Sequence, residues 1–267
     1  MVMALSLTFK QKYEKLKKNI QNLKRVVVAF SGGVDSSLLL KISRDVLGKQ
    51  NVVAFIGNFP AFPERELALA KNLVKEMDCK CEIVETGQLD DPNFLKNDSN
   101  RCYYCKRHLM EKARNVADAY NFEYVIEGSN IDDLDDYRPG MKACNELGII
   151  SPLLGAGLNK REIRELSKML LVPTYDKPSF SCLATRIPHE TVIKKEILKL
   201  IDLSEEYIKN LGIKDVRVRY HGSIACIEVK EDEMVKIIEN RQHIAETLIS
   251  FGFFYITLDL KGYQRPN

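Results

Sequence analysis

The fold of this chain is decided by Arg25-Val26-Val27-Val28-Ala29-Phe30-Ser31-Gly32-Gly33-Val34-Asp35-Ser36-Ser37. The run that ends at Phe30 is short, continuous, apolar and rich in β-branched side chains, which is typical of a strand buried in a parallel sheet. A serine and two glycines follow, and the residues from Ser36 to Leu47 have the spacing of a helix. The stretch therefore predicts a buried strand, a tight loop and a helix in direct succession.

The loop in this stretch has the composition of a phosphate-binding site. Gly32 and Gly33 allow a tight turn whose N–H groups point at an anion, and the following helix adds its positive end. Ser31, Ser36 and Ser37 add hydroxyl donors. The loop has neither the lysine of G-x-x-x-x-G-K-[ST] nor the pattern G-x-G-x-x-G. A plain turn with a capping Ser or Asp is the alternative, but the strand–loop–helix context favours phosphate binding.

Strands and helices alternate on both sides of the loop. Further strands are predicted at Asn51–Ile56, Cys81–Val84 and Tyr124–Ile126, and further helices at Phe9–Leu23, Pro63–Met77 and Tyr103–Tyr120. This alternation predicts an α/β fold with a doubly wound parallel sheet.

The pattern changes after an irregular, proline-containing stretch at 171–188. The elements predicted beyond it are a helix at Thr191–Leu211, a hairpin of Val216–Tyr220 and Ile224–Val229, a helix at Asp232–Phe251 and a strand at Phe254–Leu258. We therefore expect two domains, residues 1–187 with the parallel sheet and residues 188–267 as a smaller α+β domain that binds substrate or mediates oligomerisation.

Charge and hydropathy exclude several classes of protein. The net charge of +3 is too mild to indicate a nucleic-acid partner. The apolar run at the N-terminus is too short for a signal peptide, and no segment approaches the length of a membrane span. These features predict a cytoplasmic protein with no membrane partner.

Seven cysteines, an odd number, do not suggest a disulfide framework in such a chain. Cys102 and Cys105 form the only C-x-x-C, which fits a shared metal or cluster, a redox pair, half of a zinc site, or simple packing. Cys182 is the candidate for a third ligand. Three cysteines can hold a [4Fe–4S] cluster whose open iron binds an exogenous ligand, which would be hydrosulfide in a sulfur transferase. The other cysteines have the apolar or periodic settings of packing residues, namely Cys79, Cys81, Cys144 and Cys226.

The loop resembles the PP-loop of the N-type ATP pyrophosphatases, a superfamily that the segment Asn159–Leu166 also fits. The resemblance implies that ATP is cut between its α- and β-phosphates and that AMP is transferred to the substrate. It also implies that the loop holds the departing pyrophosphate and that Asp35 supports a Mg²⁺ ion on those phosphates.

A finer resemblance, to the LarE family, covers nearly the whole chain. It rests on Cys102-Tyr103-Tyr104-Cys105-Lys106-Arg107, Glu127-Gly128-Ser129-Asn130, Asp135-Asp136-Tyr137-Arg138-Pro139-Gly140-Met141-Lys142-Ala143, the Cys182 segment, Val216-Arg217-Val218-Arg219 and Leu258-Asp259-Leu260. The family implies adenylation of both carboxylates of pyridinium-3,5-biscarboxylic acid mononucleotide in succession, and their conversion to thiocarboxylates for the nickel-pincer cofactor. Some members sacrifice one cysteine, whose counterpart is Cys182. Others carry three cysteines and resemble cluster-dependent thiolases, and Cys102 with Cys105 places this chain among them.

Basic residues suit a substrate that carries a phosphate and two carboxylates. Arg217 and Arg219 alternate on a strand and therefore face the same way, although a solvated strand face is the alternative. The remaining candidates are Gly128 and Arg138 for binding, and Lys106 and Glu205 for catalysis beside Asp35 and Cys182, with Arg186 as a further cation. The family pattern also leads us to expect an arginine at position 264, where this chain has Gln264 followed by Arg265.

Two other functions compete with sulfur insertion into the mononucleotide. A [4Fe–4S]-dependent tRNA thiolase would share the PP-loop and the three cysteines, but the chain shows no RNA-binding domain and no dense basic patch. A regulatory module that senses ATP without turnover would not need the cysteines. The sulfur donor is expected to be sulfide or another small donor, and the family suggests a homo-oligomer.

Overall fold

The computed structural model describes residues 7–134, 139–178 and 180–263. They form two compact units. Unit 1 extends through Gln88 and resumes at Asn100–Phe180, and unit 2 consists of Leu89–Ser99 and the residues from Ser181 onward. No helix among the described residues is long and apolar enough to cross a membrane.

Unit 1 is built on a four-stranded parallel sheet. Its strands are β1 (Val26–Ala29), β2 (Val52–Asn58), β3 (Lys80–Glu85) and β4 (Tyr124–Ile126). Their order in the sheet is β3-β2-β1-β4, and every neighbouring pair is parallel. All four residues of β1 are buried, as expected for a central strand covered on both faces. The parallel sheet predicted from the sequence is confirmed.

Helices cover both faces of this sheet, which confirms the doubly wound arrangement. Alternate residues of β1 enter different cores: Val26 and Val28 lie in one, and Val27 and Ala29 lie in the other. The helices of unit 1 are α1 (Leu7–Leu23), α2 (Val34–Leu47), α3 (Glu64–Glu76), α5 (Arg101–Ala119), α6 (Pro139–Glu146), α7 (Pro152–Ala156) and α8 (Lys160–Met169). Buried side chains of α1, α2, α3, α7 and α8 belong to the first core and those of α5 and α6 to the second.

Unit 2 contains a three-stranded mixed sheet in the order β5-β6-β7. Strands β5 (Val216–His221) and β6 (Ile224–Val229) pair antiparallel, which confirms the predicted hairpin, and β7 (Tyr255–Leu258) pairs parallel to β6. The helices of this unit are α4 (Pro92–Leu95), α9 (Lys195–Asn210), α10 (Met234–Glu239) and α11 (Arg241–Phe251).

The single helix predicted at Asp232–Phe251 is wrong, because two helices occupy this range. A 3₁₀ turn at Glu231–Glu233 precedes α10, and Asn240 separates α10 from α11. The side-chain amide of Asn240 donates to the carbonyl of Lys236 at 2.8 Å. Asparagine side chains compete for backbone groups in this way, which interrupts a helix.

Asn97 explains why the short segment Leu89–Ser99 groups with the C-terminal residues. Its buried amide donates to the carbonyls of Ile187, Pro188 and Thr191 at 3.3, 2.7 and 3.2 Å. The boundary between the units therefore lies between Phe180 and Ser181, and unit 2 also contains the earlier segment Leu89–Ser99. The sequence predicts a single boundary near residue 187.

Candidate active site

Hydrogen bonds of the Ser36 hydroxyl stabilise the conformation of the loop between β1 and α2. This hydroxyl accepts from the N–H of Ser31 at 3.3 Å and donates to the carbonyl of Gly33 at 3.2 Å. The Ser31 hydroxyl lies 3.2 Å from it. Gly33 is the N-cap of α2 and supplies no side chain to the first N–H groups of the helix. The positive end of α2 is therefore left for an anion.

Glycine is required at two places around this loop. Gly32 has φ of +69°, a left-handed conformation that favours glycine, and a Cβ there would lie 3.2 Å from the Cβ of Ala70. Gly128, just beyond β4, packs against the start of α2: a Cβ would lie 3.1 Å from the N atom of Ser36 and 3.2 Å from the Cβ of Asp35. The predicted binding residue Gly128 thus lets the end of β4 approach the loop.

A cavity of about 610 Å³ opens in front of the loop. It lies at the carboxyl ends of β1, β2 and β4, where doubly wound sheets bind ligands. One part of its wall is aromatic: Phe62 stacks on Phe59 with ring centroids 6.4 Å apart and meets Phe180 edge-on at 6.2 Å. The polar lining includes six of the predicted site residues, Ser31, Gly33, Asp35, Ser36, Lys106 and Gly128.

Asp35 lies in the first turn of α2 and has two partners. The amide of Asn130 donates to its Oδ1 at 3.3 Å, and Lys160 forms an ion pair with its Oδ2. Lys160 is placed by its own helix, because the capping box of Asn159 and Glu162 starts α8 at this residue. The backbone N–H of Lys160 also donates to Asp132 at 2.8 Å.

Lys106 reaches the same cavity from α5 and pairs with Glu127. Its Nζ donates to Glu127 Oε2 at 3.0 Å, and Glu127 Oε1 accepts from the N–H of Ser129 at 3.0 Å and the hydroxyl of Ser151 at 2.5 Å. Burial acts to raise the pKa of Glu127, but Lys106 and these donors outweigh it and lower the pKa to about 2. Burial acts to lower the pKa of Lys106, yet Glu127 leaves it raised. Lys106 is therefore a cation in the cavity at neutral pH.

Cys102 and Cys105 lie one turn apart at the start of α5, immediately before Lys106. Cys102 is exposed and Cys105 is partly exposed. Their sulfurs accept weak hydrogen bonds, from Arg101 at 4.0 Å and from Gln88 at 3.8 Å respectively. The structure thus places two accessible thiols on one side of a helix, while their role as metal ligands stays a prediction.

Cys182 belongs to unit 2, where it is partly exposed and precedes a 3₁₀ turn at Leu183–Arg186. Its carbonyl accepts from the hydroxyl of Thr185 at 2.8 Å. Within either unit, and over the described residues, no three His, Cys, Asp or Glu side chains are grouped as ligands of one metal ion. The three-cysteine metal site therefore stays a prediction.

The remaining cysteines differ from these three. Burial raises the pKa of Cys79, Cys81 and Cys144 to about 11. They are protonated thiols at neutral pH, and each packs in or against a core of unit 1. Cys226 lies on β6. These positions agree with the packing role predicted for the first three.

Unit 2 brings four of the predicted site residues into a cluster. Arg186 is buried and donates to Glu205 at 2.8 and 3.4 Å, and Glu205 is fully buried and also accepts from the N–H of Val218 at 3.2 Å. Arg219 donates to Glu228 at 2.5 Å and to the carbonyl of Thr185 at 3.0 Å. These contacts indicate that Glu205 positions Arg186, while a catalytic role for Glu205 stays a prediction.

Arg217 lies close to the charges of the other two arginines of this cluster. Burial and the charge of Arg186 are the main causes that lower the pKa of Arg217, and Arg219 adds to them. Its Nη2 donates to the hydroxyl of Tyr263 at 2.6 Å, and its guanidinium lies 4.2 Å from the centroid of the Tyr263 ring. An anion bound here would relieve the repulsion among the three arginines.

Other polar residues of the cavity carry no assigned role in the sequence analysis, among them Lys160, Lys177, Glu66 and Asn130. The segment that contains Lys160 could have been assigned a site residue, because its capping box places a lysine at a helix start. Nothing in the local pattern marks Lys177 or Glu66, since distant segments bring them together. Arg138, Gln264 and Arg265 lie outside the described residues.

Comparisons with known proteins show what this chain is similar to. A family model described as NAD synthase matches residues 8–119. The chain is 39% identical over 255 residues to an uncharacterized protein of Synechocystis sp., with 95% of each chain covered. It is 33% identical over 245 residues to the pyridinium-3,5-bisthiocarboxylic acid mononucleotide synthase of Lactiplantibacillus plantarum, which covers 92% of this chain and 89% of that one. A further similarity, 31% over 261 residues, is to an uncharacterized protein of Methanocaldococcus jannaschii.

Proposed function

This chain belongs to the LarE family, and on that premise we propose that it converts the carboxylates of pyridinium-3,5-biscarboxylic acid mononucleotide into thiocarboxylates. Membership makes it an ATP-dependent sulfurtransferase. The observation that carries the proposal is the loop itself: the uncapped start of α2 and the Ser31 and Ser36 hydroxyls face a cavity large enough for a nucleotide.

The first step is adenylation of a substrate carboxylate. A carboxylate oxygen attacks the α-phosphorus of ATP, the bond to the β-phosphate breaks, and pyrophosphate leaves from the loop. Lys160 and Lys106 place positive charge in the cavity, where charge develops on the leaving phosphates. The aromatic wall of Phe59, Phe62 and Phe180 suits the flat face of adenine.

Mg²⁺ fits the donor set of this cavity. The carboxylates of Asp35 and Asp132 line it, and carboxylate oxygens are the protein ligands that Mg²⁺ prefers. Asp35, at the start of α2, would hold the ion together with phosphate oxygens. When bound, the ion would neutralise charge on the departing pyrophosphate.

The arginine cluster of unit 2 supports recognition of the mononucleotide. Among the residues that the structure describes, Arg186 is paired with Glu205 and Arg219 with Glu228, while Arg217 adds a third guanidinium, so the cluster keeps an excess positive charge. Guanidinium groups bind phosphates and carboxylates with paired hydrogen bonds. We assign the phosphate or a carboxylate of the substrate to Arg217 and Arg219.

The second step replaces the adenylate with sulfur. A sulfur nucleophile attacks the activated carbonyl carbon, AMP leaves with the bridging oxygen, and a thiocarboxylate remains. The thiols that would hold a [4Fe–4S] cluster are the accessible ones of Cys102 and Cys105, with Cys182 as the third ligand that the family resemblance implies. When bound, such a cluster would supply the sulfide. The alternative is that Cys182 gives up its own sulfur.

The decisive experiment supplies ATP and the mononucleotide under anaerobic conditions and measures released pyrophosphate and thiocarboxylate product by mass spectrometry. We expect pyrophosphate only when the mononucleotide is present, and none from Asp35→Ala or Ser36→Ala proteins that melt like the wild type. Unchanged release of pyrophosphate in both variants would contradict the assignment of this loop as the phosphate-binding site. Thiolation of total tRNA instead of the mononucleotide would identify a tRNA thiolase.

A second experiment separates the two sources of sulfur. After anaerobic reconstitution with iron and sulfide, the wild type should bind iron and complete several turnovers with added sulfide. Cys102→Ser and Cys105→Ser should lose the iron, whereas Cys79→Ser, a packing thiol, should keep it. A wild type that binds no iron, or that transfers one sulfur per chain while Cys182 loses its own, overturns the cluster and leaves the adenylation step intact.

A further inference from the structure

Lys177, which lines the cavity, contacts the backbone of the phosphate-binding loop. Its Nζ donates to the carbonyl oxygen of Gly32 at 3.1 Å and to Glu66 Oε2 at 2.8 Å. The side chain of Lys177 is 21% exposed and that of Glu66 is 11% exposed. Lys177 is thus a largely buried cation whose donors are divided between one carboxylate and the backbone of the loop.

Hydrogen bonds also hold the backbone of the segment that carries Lys177. Arg164 of α8 donates to the carbonyls of Tyr175 and Lys177, both at 2.8 Å, and the N–H of Lys177 donates to the carbonyl of Thr174 at 3.0 Å. If the backbone at Lys177 were mobile, the lysine would move together with the loop. Because this backbone is held by hydrogen bonds, Lys177 can determine the position of the loop.

The geometry of the peptide bond gives this contact a consequence for the site. In a trans peptide, the C=O of one residue and the N–H of the next point in opposite directions. Lys177 holds the C=O of Gly32, so it also fixes the direction of the N–H of Gly33, the residue of the pair that lines the cavity. Gly32 has φ of +69° and no side chain to restrict rotation of this peptide, so the hydrogen bond from Lys177 is one contact that limits this rotation.

We propose that Lys177 is a positioning residue that orients the Gly32–Gly33 peptide for binding of the pyrophosphate leaving group. The proposal rests on the adenylation function argued above and adds a residue to it. The loop has no lysine of its own. Lys160 pairs with Asp35 and Lys106 pairs with Glu127, whereas Lys177 donates both to Glu66 and to the loop carbonyl of Gly32. Lys177 acts by setting the orientation of the Gly32–Gly33 peptide. In the absence of ligand, Glu66 neutralises the charge of Lys177.

The test measures binding of pyrophosphate and of AMP separately, by isothermal titration of the full chain. In Lys177→Met, the affinity for pyrophosphate should fall by about 10- to 100-fold, the loss expected for charge-assisted hydrogen bonds, while AMP affinity changes by less than about threefold. Lys177→Arg, which can still donate to Gly32, should recover most of the loss. Glu66→Gln keeps the contact with Gly32 and should bind pyrophosphate as tightly as the wild type or more tightly.

Lys12→Met is the matched control. Lys12 pairs with Glu162 at 2.8 Å with similar exposure, 27% and 15%, but lies outside the cavity lining. It should lower the melting temperature about as much as Lys177→Met and leave the affinity for pyrophosphate unchanged. Equal losses of AMP and pyrophosphate affinity in Lys177→Met, wild-type affinity in that variant, or the same loss in Glu66→Gln would each overturn the proposal. A wild type that binds pyrophosphate but does not thiolate the mononucleotide would contradict the proposed function alone.

Discussion

Removal of Glu205 should destabilise unit 2 strongly, because its carboxylate is the counter-charge of a buried arginine. Glu205 is 0% exposed and Arg186 is 4% exposed. Glu205→Ala removes the carboxylate that pairs with that guanidinium and leaves the N–H of Val218 without this acceptor. Breaking a buried ion pair on one side costs about 3–5 kcal/mol. Since domains are stable by only about 5–15 kcal/mol, this loss is a large fraction of the total.

The measurement is urea unfolding followed by circular dichroism at pH 7. Asp45→Ala is the control, since Asp45 pairs with Lys41 at 2.5 Å on the surface, and such pairs contribute about 0–1 kcal/mol. Arg186→Met combined with Glu205→Leu should be more stable than Glu205→Ala, because an apolar pair leaves no charge buried. The reasoning is refuted if Glu205→Ala lies within about 1 kcal/mol of the wild type, or if the combined variant loses the sum of its single changes.

Three further predictions follow from the site. Gly128→Ala should weaken ATP binding about tenfold, because the added Cβ would lie 3.1 Å from the N atom of Ser36. Gly155→Ala is the control and should leave ATP binding unchanged in the same titration, because its Cβ would have no neighbour closer than 3.7 Å. The pKa of Glu127 is lowered from its ordinary 4.5 to about 2. Ionised Glu127 therefore stabilises the fold by roughly 3 kcal/mol above pH 4.5, and this contribution to the free energy of unfolding is lost as the pH falls towards 2. Glu127→Gln should therefore be less stable than the wild type at pH 7, with a smaller difference at about pH 3, and urea unfolding that shows a constant difference contradicts the assignment. Arg217→Ala should weaken binding of the mononucleotide by about 1.5–3 kcal/mol and that of ATP much less, and equal losses for both ligands would exclude Arg217 from the substrate site.

The four strands of unit 1 and its helices α1, α2, α3 and α5 are predicted by local pattern, whereas the shorter helices α6, α7 and α8 are not among the predicted elements. The buried run around Val26–Ala29 and the glycines after it are sufficient to predict a strand, a phosphate loop and a helix. The C-x-x-C likewise places two thiols one turn apart on α5, and the alternation of Arg217 and Arg219 places both on one face of β5. In each case, the residues that matter are neighbours along the chain, so spacing alone determines their relation.

Other features depend on contacts between residues far apart in sequence, which no local pattern records. Glu66 and Lys177 are separated by 111 positions, and Asp35 and Lys160 by 125. The grouping of Leu89–Ser99 with the C-terminal unit depends on the side chain of Asn97, which binds carbonyls about ninety residues later. Local sequence therefore determined the strand, the loop and the residue types that bind phosphate. Only the tertiary structure decided which lysine holds the loop and which carboxylate accompanies each cation, because these pairings form when separate helices pack against one sheet.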